Sequence, residues 1–222
     1  MKAYVLSSLI AILFIIVSCS NPISDLSKDG LHGQIKMIIE NAYVGAMNTE
    51  ADTANVFSSI ITIYDKKGNL LEKSFYDQGK MVQKIIPQRS HKRLIGNTRL
   101  NGDGIPMLTS TIRKISETEY EEIQLNTQGK LFSKEKMIFD HGRKISGTIY
   151  YQTVEYTTNY SFNNEGLLMS QTQKNNTGEE EYNYDYEYIQ FDENKNWIRR
   201  NDYSSKGSKE LKYTTIRRYE YY

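Results

Sequence analysis

Apolar and polar residues alternate with a period of two along most of this chain, and that alternation predicts strands. From Tyr150 to Phe162 the even positions read Tyr150, Gln152, Val154, Tyr156, Thr158, Tyr160 and Phe162, while the odd positions from Thr153 onward are Glu155, Thr157, Asn159 and Ser161. The pattern recurs in Tyr182, Tyr184, Tyr186 and Tyr188, set against Glu181, Asn183, Asp185 and Glu187. Successive side chains of a strand point to opposite faces, so each stretch has one aromatic and one polar face. A helix needs about ten or more residues with 3.6 periodicity, and the one candidate, Gln34 to Tyr43, alternates Ile35, Met37 and Ile39 instead. Strands covered by helices on both faces would read as continuous apolar runs. These strands suit an antiparallel sheet with one packed face and one wet face.

Between the strands a turn signal repeats. An aromatic or apolar residue followed by Asp or Asn leads into a turn at Tyr64-Asp65-Lys66-Lys67-Gly68-Asn69, Leu125-Asn126-Thr127-Gln128-Gly129-Lys130, Phe162-Asn163-Asn164-Glu165-Gly166-Leu167 and Phe191-Asp192-Glu193-Asn194-Lys195-Asn196-Trp197. The Asx side chain bonds backbone two residues on, and glycine supplies the positive φ that reverses the chain. A second signal follows each at nearly constant distance, at Gly79, Gly142, Gly178 and Gly207. The expected fold is therefore all-β. One antiparallel, twisted and curved sheet of repeated hairpins, open or half-barrel-like, spans Leu31 to Tyr222 in roughly ten strands, with Gly68, Gly129, Gly166 and Asn196 at hairpin turns. The segment 87–106 breaks the pattern and is expected to be irregular, with a hairpin turn at Asn101-Gly102-Asp103-Gly104.

The Tyr-Asp-x-x-Gly-Asn pattern, with further Tyr and Gly at regular distances, resembles the degenerate YD repeats of the RHS class. Leu31-His32-Gly33-Gln34-Ile35-Lys36, the repeated turns, Asn196-Trp197 and the closing Arg217-Arg218-Tyr219-Glu220-Tyr221-Tyr222 are similar to small exported bacterial lipoproteins built from such repeats. The resemblance implies hairpins and export, and assigns no activity. Only the first unit keeps both Tyr-Asp and Gly-Asn.

The N-terminus carries a different signal. Lys2 precedes an apolar run to Val17, which is the layout of a secretory leader over residues 1–18. Ser7, Ser8 and Ser18 interrupt the run, which is too short for a membrane-spanning helix. Ile16-Val17-Ser18-Cys19 resembles a bacterial lipobox, which implies that Cys19 is lipidated and becomes the mature N-terminus. Residues 19–30 then form the lipidated cysteine and a flexible tether. Ser20 resembles sorting contexts that send a lipoprotein to the outer membrane. Only Asp25 and Asp29 offer acidic charge near the cysteine, which favours the periplasmic face over the cell surface.

Composition narrows the chemistry. Once Lys2 leaves with the leader, the 28 basic residues fall to match the 27 acidic ones, so no global field points to nucleic acid. Cys19 is the only cysteine, leaving none for a disulfide, thiolate metal site or Cys nucleophile. His32, His91 and His141 are isolated, and no zinc helix, nucleophile elbow, phosphate loop or calcium loop occurs. No metal, cofactor or catalytic residue is expected. Arg89, His91, Lys92, Arg93 and Arg99 form a basic stretch, read as a solvated loop or a contact for anionic lipid heads. The count of 18 tyrosines against 7 phenylalanines argues for a partly wet aromatic face, since a dry core favours Phe and Leu. Tyr182, Tyr184, Tyr186, Tyr188 and Trp197 are the candidate binding surface. The leading expectation is a non-catalytic cell-envelope lipoprotein that binds an envelope polysaccharide or protein partner through this sheet. An envelope glycosidase or other hydrolase, using carboxylates from Glu117 to Glu122 or Glu179 to Glu181, is one alternative. An immunity-like protein that binds a specific effector is the other.

Overall fold

A computed structural model describes residues 24–28, 30–45, 56–91, 93–204 and 209–222. The leader, Cys19, Asp29, Lys92 and Gly207 lie outside them. A single helical turn, α1 (Asp25–Lys28), precedes fourteen strands. These are β1 (Ile35–Val44), β2 (Val56–Tyr64), β3 (Leu70–Asp77), β4 (Lys80–Ser90), β5 (Arg93–Asn101), β6 (Pro106–Lys114) and β7 (Glu119–Asn126), then β8 (Leu131–Asp140), β9 (Arg143–Tyr151), β10 (Val154–Phe162), β11 (Leu168–Asn175), β12 (Glu180–Phe191), β13 (Trp197–Ser204) and β14 (Glu210–Tyr221). Each strand pairs antiparallel with its neighbours in sequence. β1 also pairs with β14, from Ile35 opposite Tyr221 to Val44 opposite Tyr213, and the sheet closes into a barrel.

The fold is thus all-β and antiparallel, but the expectation of an open sheet of roughly ten strands is corrected to a closed barrel of fourteen. The extra strands were hidden by turns that lack a glycine signature. His91 and Gln152 adopt positive φ, at 47° and 53°, in two-residue turns that close Ser90 against Arg93 and Tyr151 against Val154. The Tyr150–Phe162 alternation therefore straddles a hairpin and is not one strand. The expected irregular segment 87–106 is also corrected. Its residues continue β4, form β5 and enter β6, with Pro87 opposite Asn97 inside the β4–β5 ladder.

The repeated turn signal folds as its chemistry dictates. Asp65 Oδ1 accepts from the Lys67 N–H at 2.8 Å and the Asn69 N–H at 2.9 Å, while the Gly68 N–H donates to the Asp65 carbonyl. Asn126, Asn163 and Asp192 repeat this pattern, as do Asn101 and Asn175. In the Asp192 turn the left-handed position belongs to Lys195, φ 66°, and Asn196 closes the loop.

Because strands alternate in direction, one rim carries the N-terminal segment, Tyr222 and the turns after β2, β4, β6, β8, β10 and β12. That rim is capped. The Leu26 N–H donates to the Gly68 carbonyl at 3.1 Å, Asp25 accepts from the Leu70 N–H and pairs with Arg89, and His32 exchanges two hydrogen bonds with the Asn196 side chain. Leu26 packs with Ile35, Ile38 and Tyr64 into the buried apolar cluster, bordered by Leu31, Leu70, Tyr219 and Tyr221. The part of the expected flexible tether that starts at Ser24 is therefore docked, because Leu26 finds an apolar floor inside the barrel mouth.

Wall packing is tight where strands approach. A Cβ on Gly96 would lie 1.9 Å from the Ser110 carbonyl oxygen, whereas one on Gly79 would meet open space. Gly96→Ala should therefore lower stability by about 2–4 kcal/mol through overpacking and a displaced ladder. Gly79→Ala should cost about 1 kcal/mol, for its positive φ alone. Urea melts of the two variants check the difference.

Candidate functional site

Paired residues across an antiparallel ladder share a face, so the register sorts every side chain to the lumen or to the outer wall. Glu40 faces Arg217 on β14 and Ile60 on β2; Thr215 leads to Arg200, and Arg200 to Tyr188. These share one face. Glu40 also feels Arg200 across β14 and Lys73 across β2, which identifies their face as the concave one. The lumen is consequently lined by Glu40, Arg217, Arg200, Asp202 and the aromatic stripe of β12.

The opposite phase forms the outer wall. Around the middle of β9 to β14 it carries cross-strand polar pairs: Thr148 with Thr157, Ser146 with Asn159, Ser161 with Ser170, Thr172 with Asn183 and Thr214 with Asn201; on β1 to β2 Ser59 bonds Asn41, beside the apolar pairs Ile39 opposite Ile61 and Met37 opposite Ile63, and the bonds span 2.7–3.3 Å. On the remaining arc it carries ion pairs. Glu121 lies between Arg113 and Lys134, and Glu72 pairs with Lys84 at 3.0 Å. The bond from Lys134, and the charges of both cations, hold the Glu121 carboxyl below its usual value despite its burial. The exposed large apolar side chains fall mostly towards the two rims, for example Leu71, Ile95, Ile115 and Phe191 at the capped rim and Val44, Ile105 and Leu131 at the other.

Tyr182, Tyr184, Tyr186 and Tyr188 all face the lumen and are half-buried. Tyr186 donates to Gln171 Oε1 at 3.1 Å, Gln171 Nε2 donates to the Tyr182 hydroxyl at 2.7 Å, and Tyr188 donates to the Leu168 carbonyl at 2.9 Å. Burial pushes the Tyr186 hydroxyl well above its ordinary pKa and raises that of Tyr188. Trp197 meets Tyr188 edge to face, with ring centroids 5.6 Å apart, and is 5% exposed. The structure thus joins Trp197 to the lower end of the tyrosine ladder. A cleft of about 430 Å³ opens beside Tyr186 and Tyr188, bounded by Asn163, Leu167, Met169 and Phe191.

Sequence reading missed the charged floor beneath these rings. The Arg217 guanidinium lies 3.8 Å from the Trp197 ring centre and that of Arg200 lies 4.8 Å away, while Arg200 also covers Tyr186 at 4.4 Å. Each cation has its carboxylate. Arg217 Nε donates to Glu40 at 2.6 Å, and Arg200 holds Asp202 in a two-point grip at 2.6 and 3.0 Å, with Thr215 as a further donor to Asp202. Burial alone would raise the Glu40 carboxyl, but Arg217 and Arg200 outweigh it and hold it below its usual value. Burial pushes the Tyr219 hydroxyl up to about 12, and it donates to the Trp197 carbonyl at 2.8 Å. The signal was present in β14, where Arg217 stands in phase with Tyr213, Thr215 and Tyr219; a cation inside an aromatic stripe marks a partnered buried charge.

The carboxylates proposed for hydrolysis do not converge. Glu121 lies on the outer wall, whereas Glu122 lies on the lumenal phase, bonded by Asn97 at 3.3 Å. Glu179 and Glu181 both accept from Asn175 at a turn. Cys19 lies outside the described residues.

No family model matches the chain, and no curated protein matches it. Among solved structures it is similar to a porin-like protein from Bacteroides uniformis, with a TM-score of 0.53 and 11% identity over 85% of this chain and 98% of that one. At that identity the likeness concerns the fold: a closed antiparallel barrel.

The Glu40–Arg217 pair makes a pH-dependent contribution. A carboxyl that titrates below its ordinary 4.5 in the folded state stabilises fully above that pH and loses the contribution as pH falls through the folded value. Thermal melts should therefore drop below about pH 4.5. Glu40→Gln should cost about 2 kcal/mol at neutral pH, since it leaves a half-buried guanidinium without its carboxylate, and should flatten the acid limb of the profile.

Proposed function

We propose that this chain is a non-catalytic lipoprotein of the cell envelope, tethered through Cys19, whose barrel stands in water and binds an extended polymer along the tyrosine ladder of its lumen. The polar outer wall is the observation that carries this reading. A barrel that spans a bilayer presents an apolar band outward, and each Lys or Arg at the lipid midplane costs about 2–4 kcal/mol. Here the wall presents hydroxyl and amide pairs together with Lys84, Arg113 and Lys134. The porin-like neighbour supports the barrel architecture, and the lipobox resemblance supports attachment by lipid rather than by strands. The outer membrane, on its periplasmic face, remains the favoured location.

The rings of the ladder divide into two roles. Tyr186 carries Arg200 and bonds Gln171, so it belongs to the wall. Tyr184 stacks obliquely on Tyr182 at 5.6 Å and is free to offer its face to a sugar ring. Tyr186→Ala should cost about 2–3 kcal/mol of stability, below the range for a fully buried aromatic because the ring is half-buried. Tyr184→Ala should leave the melting temperature nearly unchanged while weakening retention on immobilised envelope polysaccharide. A large loss of stability in Tyr184→Ala, or unchanged retention, ends this reading.

A further inference from the structure

Two turns of the capped rim, those after β2 and β4, are basic and lie where the chain enters the barrel. Ser24 sits against Gly68 in the β2–β3 turn, its Oγ 3.0 Å from where a Cβ on that glycine would lie. The same turn exposes Lys66 and Lys67. The neighbouring turn on that rim, after β4, exposes His91 and Arg93, two strands or roughly 10 Å away. Two carboxylates stand by this patch: Asp65, in the same turn, accepts from the Lys67 and Asn69 N–H groups and the Asn69 amide, and Asp25 is taken by Arg89 and by the Leu70 N–H. Among the described residues, Lys67 and Arg93 have no ion pair, and Lys66 lies over the Tyr222 ring at 5.6 Å. Exposed Leu71 and Ile95 follow the two turns along the chain.

We infer that the capped rim is a membrane-contact surface, and that Lys66, Lys67 and Arg93 bind the anionic phospholipid headgroups of the bilayer that holds the tether. This orientation rests on the lipoprotein reading above. From Cys19 to Ser24 the chain can span at most about 18 Å, so a lipid on Cys19 keeps the β2–β3 turn within reach of the headgroups. Lys66 and Lys67 lie beside the exit point, and a tether of this length lets them enter the surface field of an anionic leaflet, which falls off over about 10 Å at 0.1 M salt. Leu71 and Ile95 add apolar area at the interface, and apolar area and basic charge together set the strength of interfacial binding. The far rim also exposes apolar residues, and its Lys80 and Lys130 are interspersed with Asp77, Asp103 and Glu179; elsewhere the capped rim carries exposed Glu117, Asp140, Glu165 and Glu193, so the corner at Lys66, Lys67 and Arg93, beside the tether, sets the orientation. The barrel should therefore rest on the membrane by this corner of its capped end.

The test uses the exported lipid-free chain, Cys19→Ala behind a leader cleaved without lipidation, which retains every described residue. Sedimentation with vesicles of phosphatidylglycerol and phosphatidylcholine should show binding that vanishes on pure phosphatidylcholine and weakens as salt rises. Lys66→Gln, Lys67→Gln and Arg93→Gln should each reduce partition about fivefold, and together about a hundredfold. Lys80→Gln with Lys130→Gln on the far rim should leave it unchanged. Equal loss from the far-rim variant, or equal binding to neutral vesicles, overturns the inference. The lipid anchor is read separately in cells: after a high-salt wash, which removes headgroup binding, the same Cys19→Ala chain should leave the membrane fraction while the native chain stays, and its retention through the wash would refute the anchor while the vesicle result still stands on its own.

Discussion

The pairing of β1 with β14 is the constraint on which the rest depends. A sheet of thirteen hairpin-linked pairings would leave two edges, each a row of unpaired N–H and C=O groups able to recruit another chain. Joining Ile35–Val44 to Tyr213–Tyr221 removes both, and the Gly45 N–H bond to the Lys212 carbonyl together with the Tyr222 N–H bond to the Gln34 carbonyl continues the seam at its ends. Closure also fixes the width of the barrel. About eight strands leave an interior that side chains fill, and sixteen to eighteen leave an aqueous channel. Fourteen strands lie between these, so the lumen is lined by long side chains rather than packed with aliphatic ones.

That intermediate width explains the composition of the lumen. Large half-buried rings with a polar tip suit a partly wet interior, and the two guanidiniums under Trp197 are tolerable there because Glu40 and Asp202 neutralise them in place. The N-terminal segment completes one end by placing Leu26 on Ile38 and Tyr64. The outer wall carries Ser, Thr and Asn pairs that bond across strands, whereas strands in lipid present an apolar band. Similarity to a porin-like barrel and a polar outer wall are compatible once fold and solvent are treated separately.

Local chemistry was legible in the sequence and global closure was not. The Asx-Gly turns at Asp65, Asn126 and Asn163 could be read because the side chain and glycine that shape them are adjacent. Turns at His91 and Gln152 could not, since non-glycine residues rarely adopt the positive φ they take here. Each missed turn merged two strands, and 87–106 was read as irregular for the same reason. That Tyr182 to Tyr188 share one face followed from alternation alone; that this face is the lumenal one followed only from the closed barrel and its register. Its charged floor did not, because Glu40 and Arg217 lie at opposite ends of the chain and meet only when the first strand finds the last.

The proposal that this barrel holds its outer wall in water is tested most directly by spin-label accessibility. Cys19 is the only native cysteine and the proposed anchor consumes it, so Asn159→Cys or Thr172→Cys gives a single label at the equator of the wall. In membranes carrying the lipidated protein, both labels should collide readily with a water-soluble nickel chelate and little with oxygen dissolved in the acyl region. Greater accessibility to oxygen than to the chelate would place the wall in lipid and contradict the account.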